Sequence, residues 1–161
     1  MNSKAILGIS LAAVFAVSMM INPIWGPGDG LSYNAVDGFT MFTNGAPGQT
    51  TDGHDIVVYA FLTDTPGKAP TSFVAYVAAV HPTFSDDNEQ KHDLTVVHGH
   101  ALELDNDTLC VEGLAKNPTA KVKGESVTVN GGHGNIVASV IAGYDVTPDG
   151  ICPTEVYDDG S

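Results

Sequence analysis

The sequence reads IVVYAFL over residues 56–62 and FVAYVAAV over residues 73–80, two runs that are apolar on both faces of an extended chain. A strand with one wet face alternates apolar and polar residues, whereas a continuous apolar run of this length is typical of a strand covered on both faces. A helix is the alternative for the alanine-rich second run, but that run ends at His81-Pro82 after only a few residues. The two runs therefore predict central strands of a sheet.

Shorter apolar runs and turn clusters alternate along the rest of the chain, and none shows a sustained helical period with caps. Residues 126–130 alternate cleanly, which predicts a strand with one wet face. This spacing predicts an all-β fold, a single antiparallel β-sandwich or barrel-like domain over residues 31–161. The predicted strands cover residues 38–43, 55–63, 72–81, 93–104, 108–113, 119–123, 126–130, 135–146 and 155–157.

The N-terminal segment has the parts of a targeting signal. Lys4 precedes an uncharged apolar run over residues 5–21, and the breaker-rich NPIWGPGDG follows it. This order is typical of a secretory signal, and the run of about 17 residues is near the lower limit for spanning a bilayer. We therefore predict a signal peptide or an N-terminal hydrophobic anchor helix over residues 1–26. A pilin-type site at Lys4-Ala5, with the apolar helix as a filament core, is a third interpretation. All three place the domain outside the cytoplasm, secreted or at the cell surface.

Two cysteines, Cys110 and Cys152, lie in the predicted exported domain. An even number of cysteines in an oxidising compartment predicts a disulfide. Closing a loop of about 43 residues would stabilise the fold by about 4 kcal/mol through the entropy of the unfolded chain. The tripeptide Asn106-Asp107-Thr108 is an N-glycosylation sequon at a predicted turn, so the sequence also predicts a glycan on Asn106.

The charge balance excludes one class of partner. The chain has 19 acidic and 6 basic residues, a net charge of −13, and all of the basic residues are lysines. Nucleic-acid binding requires a cationic surface, and bidentate capture of phosphate or carboxylate requires a guanidinium. We therefore predict no nucleic-acid partner. The N-terminal segment is the predicted membrane contact if it is not cleaved, and self-association or other surface proteins are the predicted protein contacts.

His98 and His100 form the most informative polar pattern, because residues two apart on a strand point to the same face and can reach one ion. His92 falls in the same register, on the more apolar face of the predicted strand. Gly99 between them either admits another chain segment or marks a bulge that would break the register. Imidazole ligands suit copper and zinc. The predicted ligands of a copper or zinc ion are His92, His98, His100 and His133, with His81 and His133 as the two turn histidines that can complete the site.

No catalytic motif is present: the chain lacks G-x-S-x-G, H-E-x-x-H, a P-loop and a dinucleotide-binding glycine pattern. The sequence therefore predicts a protein that is not an enzyme. Two functions remain as hypotheses. One is an exported envelope protein that binds copper or zinc through the H-x-H strand. The other is a non-catalytic structural or interaction domain of the cell surface, including a filament-forming one.

Three segments carry a resemblance to known proteins. The opening MNSKAILGISLAAVFAVSMM, with VVYAFLTDTPGKAP and GICPTEVYD later in the chain, resembles small exported proteins of ammonia-oxidising archaea. The resemblance implies export and no particular activity. The H-x-H strand and one disulfide are also similar to copper–zinc superoxide dismutase, but the further zinc ligands and the arginine of that family have no counterpart here. Cupredoxins differ too, since neither cysteine has a histidine and a methionine close downstream.

Overall fold

The computed structural model of the protein describes residues 30–47, 53–81, 97–116 and 118–161. These residues form β-strands and no helix, and every strand pairing is antiparallel, which confirms the predicted all-β class. In this part of the chain, no helical segment has the length and apolarity that crossing a bilayer requires. The predicted signal or anchor at residues 1–26 lies outside the described residues. The strands are β1 (Tyr33–Asp37), β2 (Thr40–Thr43), β3 (Ile56–Pro66), β4 (Ser72–Val80), β5 (His98–Asp105), β6 (Val111–Leu114), β7 (Thr119–Val122), β8 (Ser126–Asn130), β9 (Ile136–Thr147) and β10 (Gly150–Asp158).

The strands form two sheets that pack against each other. The smaller sheet has the order β1-β2-β8-β7, and the larger has the order β10-β9-β3-β4-β5-β6. The two apolar runs are β3 and β4, which lie at the centre of the larger sheet, as predicted. One face of these strands presents Tyr59 and Phe61 to Met41, Val127 and Val129 of the smaller sheet, and all five are buried. This shared core explains why that face of β3 is apolar.

The other face of the larger sheet is concave and encloses a second apolar core. Val58, Val77 and Leu104 point to this face, and the two edge strands, β6 and β10, contact each other across it. Cys110, just before β6, forms a disulfide with Cys152 of β10, which confirms the predicted bridge. The larger sheet therefore curls into a half-barrel, and the disulfide joins its edges. The concave face is the side on which the candidate site lies.

Gly99 lets the smaller sheet approach β5 closely. The pairing of β5 with β4 runs without a register shift through His98, Gly99 and His100, so Gly99 does not mark a bulge. A Cβ atom on Gly99 would lie 2.7 Å from the carbonyl oxygen of Pro118 and 2.8 Å from the backbone nitrogen of Ala120. The glycine thus admits the backbone of β7 on one face of β5, while the flanking histidines occupy the other.

We expect Gly99→Ala to lower the free energy of unfolding by about 1–3 kcal/mol, the usual cost of overpacking a well-packed site. The added methyl group meets backbone atoms, which cannot move aside as a flexible side chain can. Urea denaturation measures the change. Gly113→Ala is the matched control, because its nearest neighbour would be Glu103 Oε2 at 4.0 Å. Equal losses in the two variants would contradict the close approach of β7.

Candidate metal centre

Antiparallel pairing brings three histidines to one place at the end of the larger sheet. In the register of β4 and β5, Ala79 lies opposite His98 and Val77 opposite His100. His81 follows directly after β4, so the end of one strand stands beside the start of the next. Because side chains alternate along a strand, His81, Ala79 and Val77 point to the same face. That face is the concave side of the half-barrel, which His81 and His100 both line.

The three imidazoles direct nitrogen atoms toward each other; we call them the histidine cluster. Nε2 of His81 lies 2.7 Å from Nε2 of His98 and 3.4 Å from Nε2 of His100. A ligand atom from each ring lies within 4.8 Å of those from the other two. His81 and His100 are buried, at 3% and 5% exposure. One proton can be shared between two of these nitrogens, whereas a metal ion can be shared by all three.

The spacing suits a metal ion bound by nitrogen. Metal–nitrogen bonds of about 2.0–2.1 Å in tetrahedral geometry place neighbouring nitrogens about 3.4 Å apart. The separation between His81 and His100 matches this value, and the 2.7 Å between His81 and His98 is shorter. A small rotation of the His98 ring would widen it. The described residues of the cluster include no carboxylate, so the donor set is three imidazoles.

The histidines predicted from the sequence do not all meet. His98 and His100 share a face, and His81, one of the two turn histidines, completes the histidine cluster. His133 instead accepts or donates a hydrogen bond at Nδ1, 2.7 Å from the hydroxyl of Tyr76. Tyr76 belongs to the core between the two sheets, on the other face of the larger sheet from the histidine cluster. His92 lies outside the described residues, so its part in the site stays a prediction.

The sequon lies in a tight turn after β5. Asp105 Oδ1 accepts hydrogen bonds from the backbone nitrogens of Asp107 and Thr108 and from the Thr108 hydroxyl. Asn106 is 8% exposed, and its backbone nitrogen donates to the Thr71 carbonyl. The glycan on Asn106 stays a prediction.

An apolar cavity of about 550 Å³ adjoins the histidine cluster on the concave face. Its wall comes from six strands of the half-barrel, and most of its side chains are aliphatic. His81 and His100 belong to both the cluster and the cavity wall. The lining residues are Ile56, Val58, Val77, Ala79, His81, His100, Leu102, Val111, Glu112, Gly113, Leu114, Tyr144 and Ile151.

The fifth described histidine, His54, is held between two carboxylates, an arrangement that no sequence motif indicated. Its Nδ1 lies 2.9 Å from Asp145 Oδ2, and its Nε2 lies 2.8 Å from Glu155 Oε2. Burial alone would lower the pKa of His54, but the hydrogen bonds and charges of Asp145 and Glu155 outweigh it and raise the pKa. Gly143 makes room for the ring, since a Cβ there would lie 2.5 Å from it.

The arrangement of His54 between Asp145 and Glu155, which we call the clamp, predicts a pH-dependent contribution to the free energy of unfolding. A histidine whose folded pKa is raised stabilises the fold fully below its unfolded pKa of about 6.5, and this contribution is lost as pH rises through the folded value. We therefore expect His54→Gln to cost more unfolding free energy at about pH 5.5 than at about pH 8.5. Urea denaturation at both pH values tests this, with His133→Gln as the control. A cost that does not change with pH would contradict the clamp.

Asp145 remains ionised over this range. Burial would raise its pKa, but hydrogen bonds from Thr154, from His54 and from the backbone nitrogen of Asp55 outweigh burial and lower the pKa. A carboxyl group with a lowered folded pKa stabilises the fold above its unfolded pKa and loses this contribution only as pH falls through the folded value. The acid limit of the clamp therefore lies well below the pH values of the test.

Comparison of the chain with known protein families, with curated proteins and with solved structures finds no match. The resemblance to small exported proteins of ammonia-oxidising archaea therefore stays a prediction from the sequence.

Proposed function

We propose that this protein binds a divalent transition-metal ion, copper or zinc, outside the cytoplasm, with His81, His98 and His100 as its ligands. The observation that carries the proposal is the convergence of three imidazole nitrogens, with Nε2–Nε2 distances of 2.7 Å and 3.4 Å about His81. His98 and His100 lie on β5, and His81 directly follows β4, the strand with which β5 pairs. This pairing supports a site that is formed by the fold before any ion binds.

The donor set favours copper and zinc over calcium and magnesium. Calcium and magnesium take oxygen ligands, whereas imidazole suits copper and zinc. Among the described residues three histidines supply ligands, which leaves one position of a tetrahedral ion to a further donor, an arrangement that differs from the closed four-ligand sites that serve only structure. The proposed role is therefore reversible holding of the ion rather than permanent cross-linking of the fold.

The disulfide and the sequence of the N-terminal segment support the proposed compartment. Disulfides are typical of proteins that mature in an oxidising environment, and Cys110–Cys152 is such a bridge. The apolar run at residues 5–21, with Lys4 before it, supports export to that environment. We propose a protein of the cell envelope, secreted or held at the surface, that handles copper or zinc there.

Calorimetric titration of the full-length protein, purified without a histidine tag, tests the proposal with Cu(II) and Zn(II). We expect His98→Ala to lower the affinity by at least about 100-fold, since loss of a direct ligand should exceed the usual effect of outer-shell changes. His133→Ala is the matched control, because that imidazole contacts Tyr76 instead. Its affinity should equal that of the wild type.

Acidification provides a second readout of the same site. Imidazole must be deprotonated to bind a metal ion, so protons compete with the ion and the affinity should fall as the pH is lowered. Equal binding by wild type and His98→Ala, or no binding by either, would refute the metal site. The non-catalytic structural or interaction domain would then be the better hypothesis.

A further inference from the structure

The apolar cavity beside the histidine cluster has the dimensions of a ligand site. Its volume of about 550 Å³ lies within the range of small-molecule pockets, which are mostly apolar with a few converging polar groups. Val58, Val77, Leu102, Val111 and Ile151 are among its aliphatic wall residues. A ligand that fills this space must therefore present mostly hydrocarbon.

The polar groups of the wall are concentrated at the histidine cluster. Tyr144 also lines the cavity, but its hydroxyl donates to the Leu109 carbonyl at 3.2 Å. Glu112 is solvent-exposed on the edge strand β6, where water and salt screen its charge. His81 and His100 thus form the polar end of an otherwise apolar space, and a ligand would place its own polar group there.

Charge selects the kind of polar group. A divalent ion held by three neutral imidazoles keeps two positive charges, and attraction to an anion is strengthened in apolar surroundings. A second anionic group on the ligand would have to lie against hydrocarbon, which is costly. A single carboxylate at the end of an aliphatic chain meets both requirements.

We propose that the cavity binds an aliphatic monocarboxylate whose carboxylate completes the coordination of the metal ion held by His81, His98 and His100. The tail lies along the aliphatic wall of the half-barrel, and the head group reaches the position that the three imidazoles leave open. This inference rests on the proposed metal site, and the experiment separates the two.

The test uses the full-length protein in lipid nanodiscs, loaded with Co(II), whose visible absorption reports its ligands. Acetate and octanoate are the two probes. Each methylene moved from water to an apolar site strengthens binding several-fold, so we expect octanoate to change the spectrum at a concentration at least about 100-fold lower than acetate. A spectral change requires the carboxylate at the metal ion, so partition into the lipid does not produce it.

Substitutions in the cavity wall then test whether the aliphatic tail of the ligand binds in the cavity. Val58→Phe fills the cavity. If that variant does not fold, Leu114→Phe replaces it, because Leu114 lies at the partly exposed rim of the cavity and a larger side chain there narrows the opening. Either should abolish the advantage of octanoate while leaving Co(II) affinity unchanged. Val122→Phe, on an exposed position of the smaller sheet, is the control and should behave as the wild type. If Co(II) binds but octanoate and acetate act at equal concentrations, the cavity inference is wrong and the metal site stands. If neither Co(II) nor Cu(II) nor Zn(II) binds, both are wrong.

Discussion

Replacing Cys110 and Cys152 by serine is expected to lower the free energy of unfolding by about 4 kcal/mol. The bridge spans a sequence separation of 42 residues, and the loss comes from the entropy that the open chain regains when unfolded. The bridge also joins β6 to β10, the two edges of the half-barrel. Val111 and Ile151, which line the cavity, are the direct neighbours of the two cysteines.

Urea denaturation of the oxidised wild type and the double-serine variant gives the difference. Wild type treated with a reductant is the matched control, because it loses the bond while keeping both sulfur atoms. It should unfold at the same urea concentration as the variant. A difference below about 1 kcal/mol would mean that packing of the concave face, rather than the bridge, holds the edges together. The cavity should then survive reduction as well.

Saturating Zn(II) is expected to raise the free energy of unfolding by about 4 kcal/mol when its free concentration is about 1,000 times the dissociation constant. His81 and His98 meet only when β4 and β5 pair, so the ion binds the folded chain in preference to the unfolded one. Thermal denaturation with and without Zn(II) measures the effect, and a chelator should reverse it.

His98→Ala tests whether the stabilisation by Zn(II) comes from the histidine cluster. It should fold, because His98 lies at the first position of β5, and it should lose most of the stabilisation by Zn(II). His133→Ala should keep the full shift. An equal shift in both variants would place the ion elsewhere, and a lowered melting temperature would mean that the unfolded chain binds the metal more tightly.

The centre of the fold could be predicted from the sequence because burial on both faces leaves a plain signal. The runs at 56–62 and 73–80 became the two central strands, and Val127 and Val129 of β8 are buried between less buried neighbours, as alternation predicts. The sequence does not predict β1, because its residues, YNAVD, show neither alternation nor a continuous apolar run. Such an edge strand is defined by its partner rather than by its own side chains.

The candidate site could be predicted only in part, for a geometric reason. His98 and His100 lie on one strand, so their shared face follows from the period of two. His81 joins them because of the register between β4 and β5, and a register depends on the turn and on both strands together. The cavity depends on the curl of the whole sheet, and His54 depends on a pairing of the chain with residues about a hundred positions away. No local sequence pattern predicts the position of His81 in the cluster, the cavity or the contacts of His54.

Among the described residues the smaller sheet ends at β7, and this edge bears on how copies of the protein behave at high concentration. An unpaired strand edge is a template for aggregation, which natural proteins counter with short strands and lysines. β7 is four residues long, carries Lys121, and is followed by Lys123, two of the six basic residues in the chain. At the other end of the sheet, the backbone nitrogen of Tyr33 donates to Asp158 Oδ2. Two copies meeting edge to edge along β7 would bring lysine against lysine, so an acidic protein places part of its scarce positive charge where it opposes amyloid-like stacking.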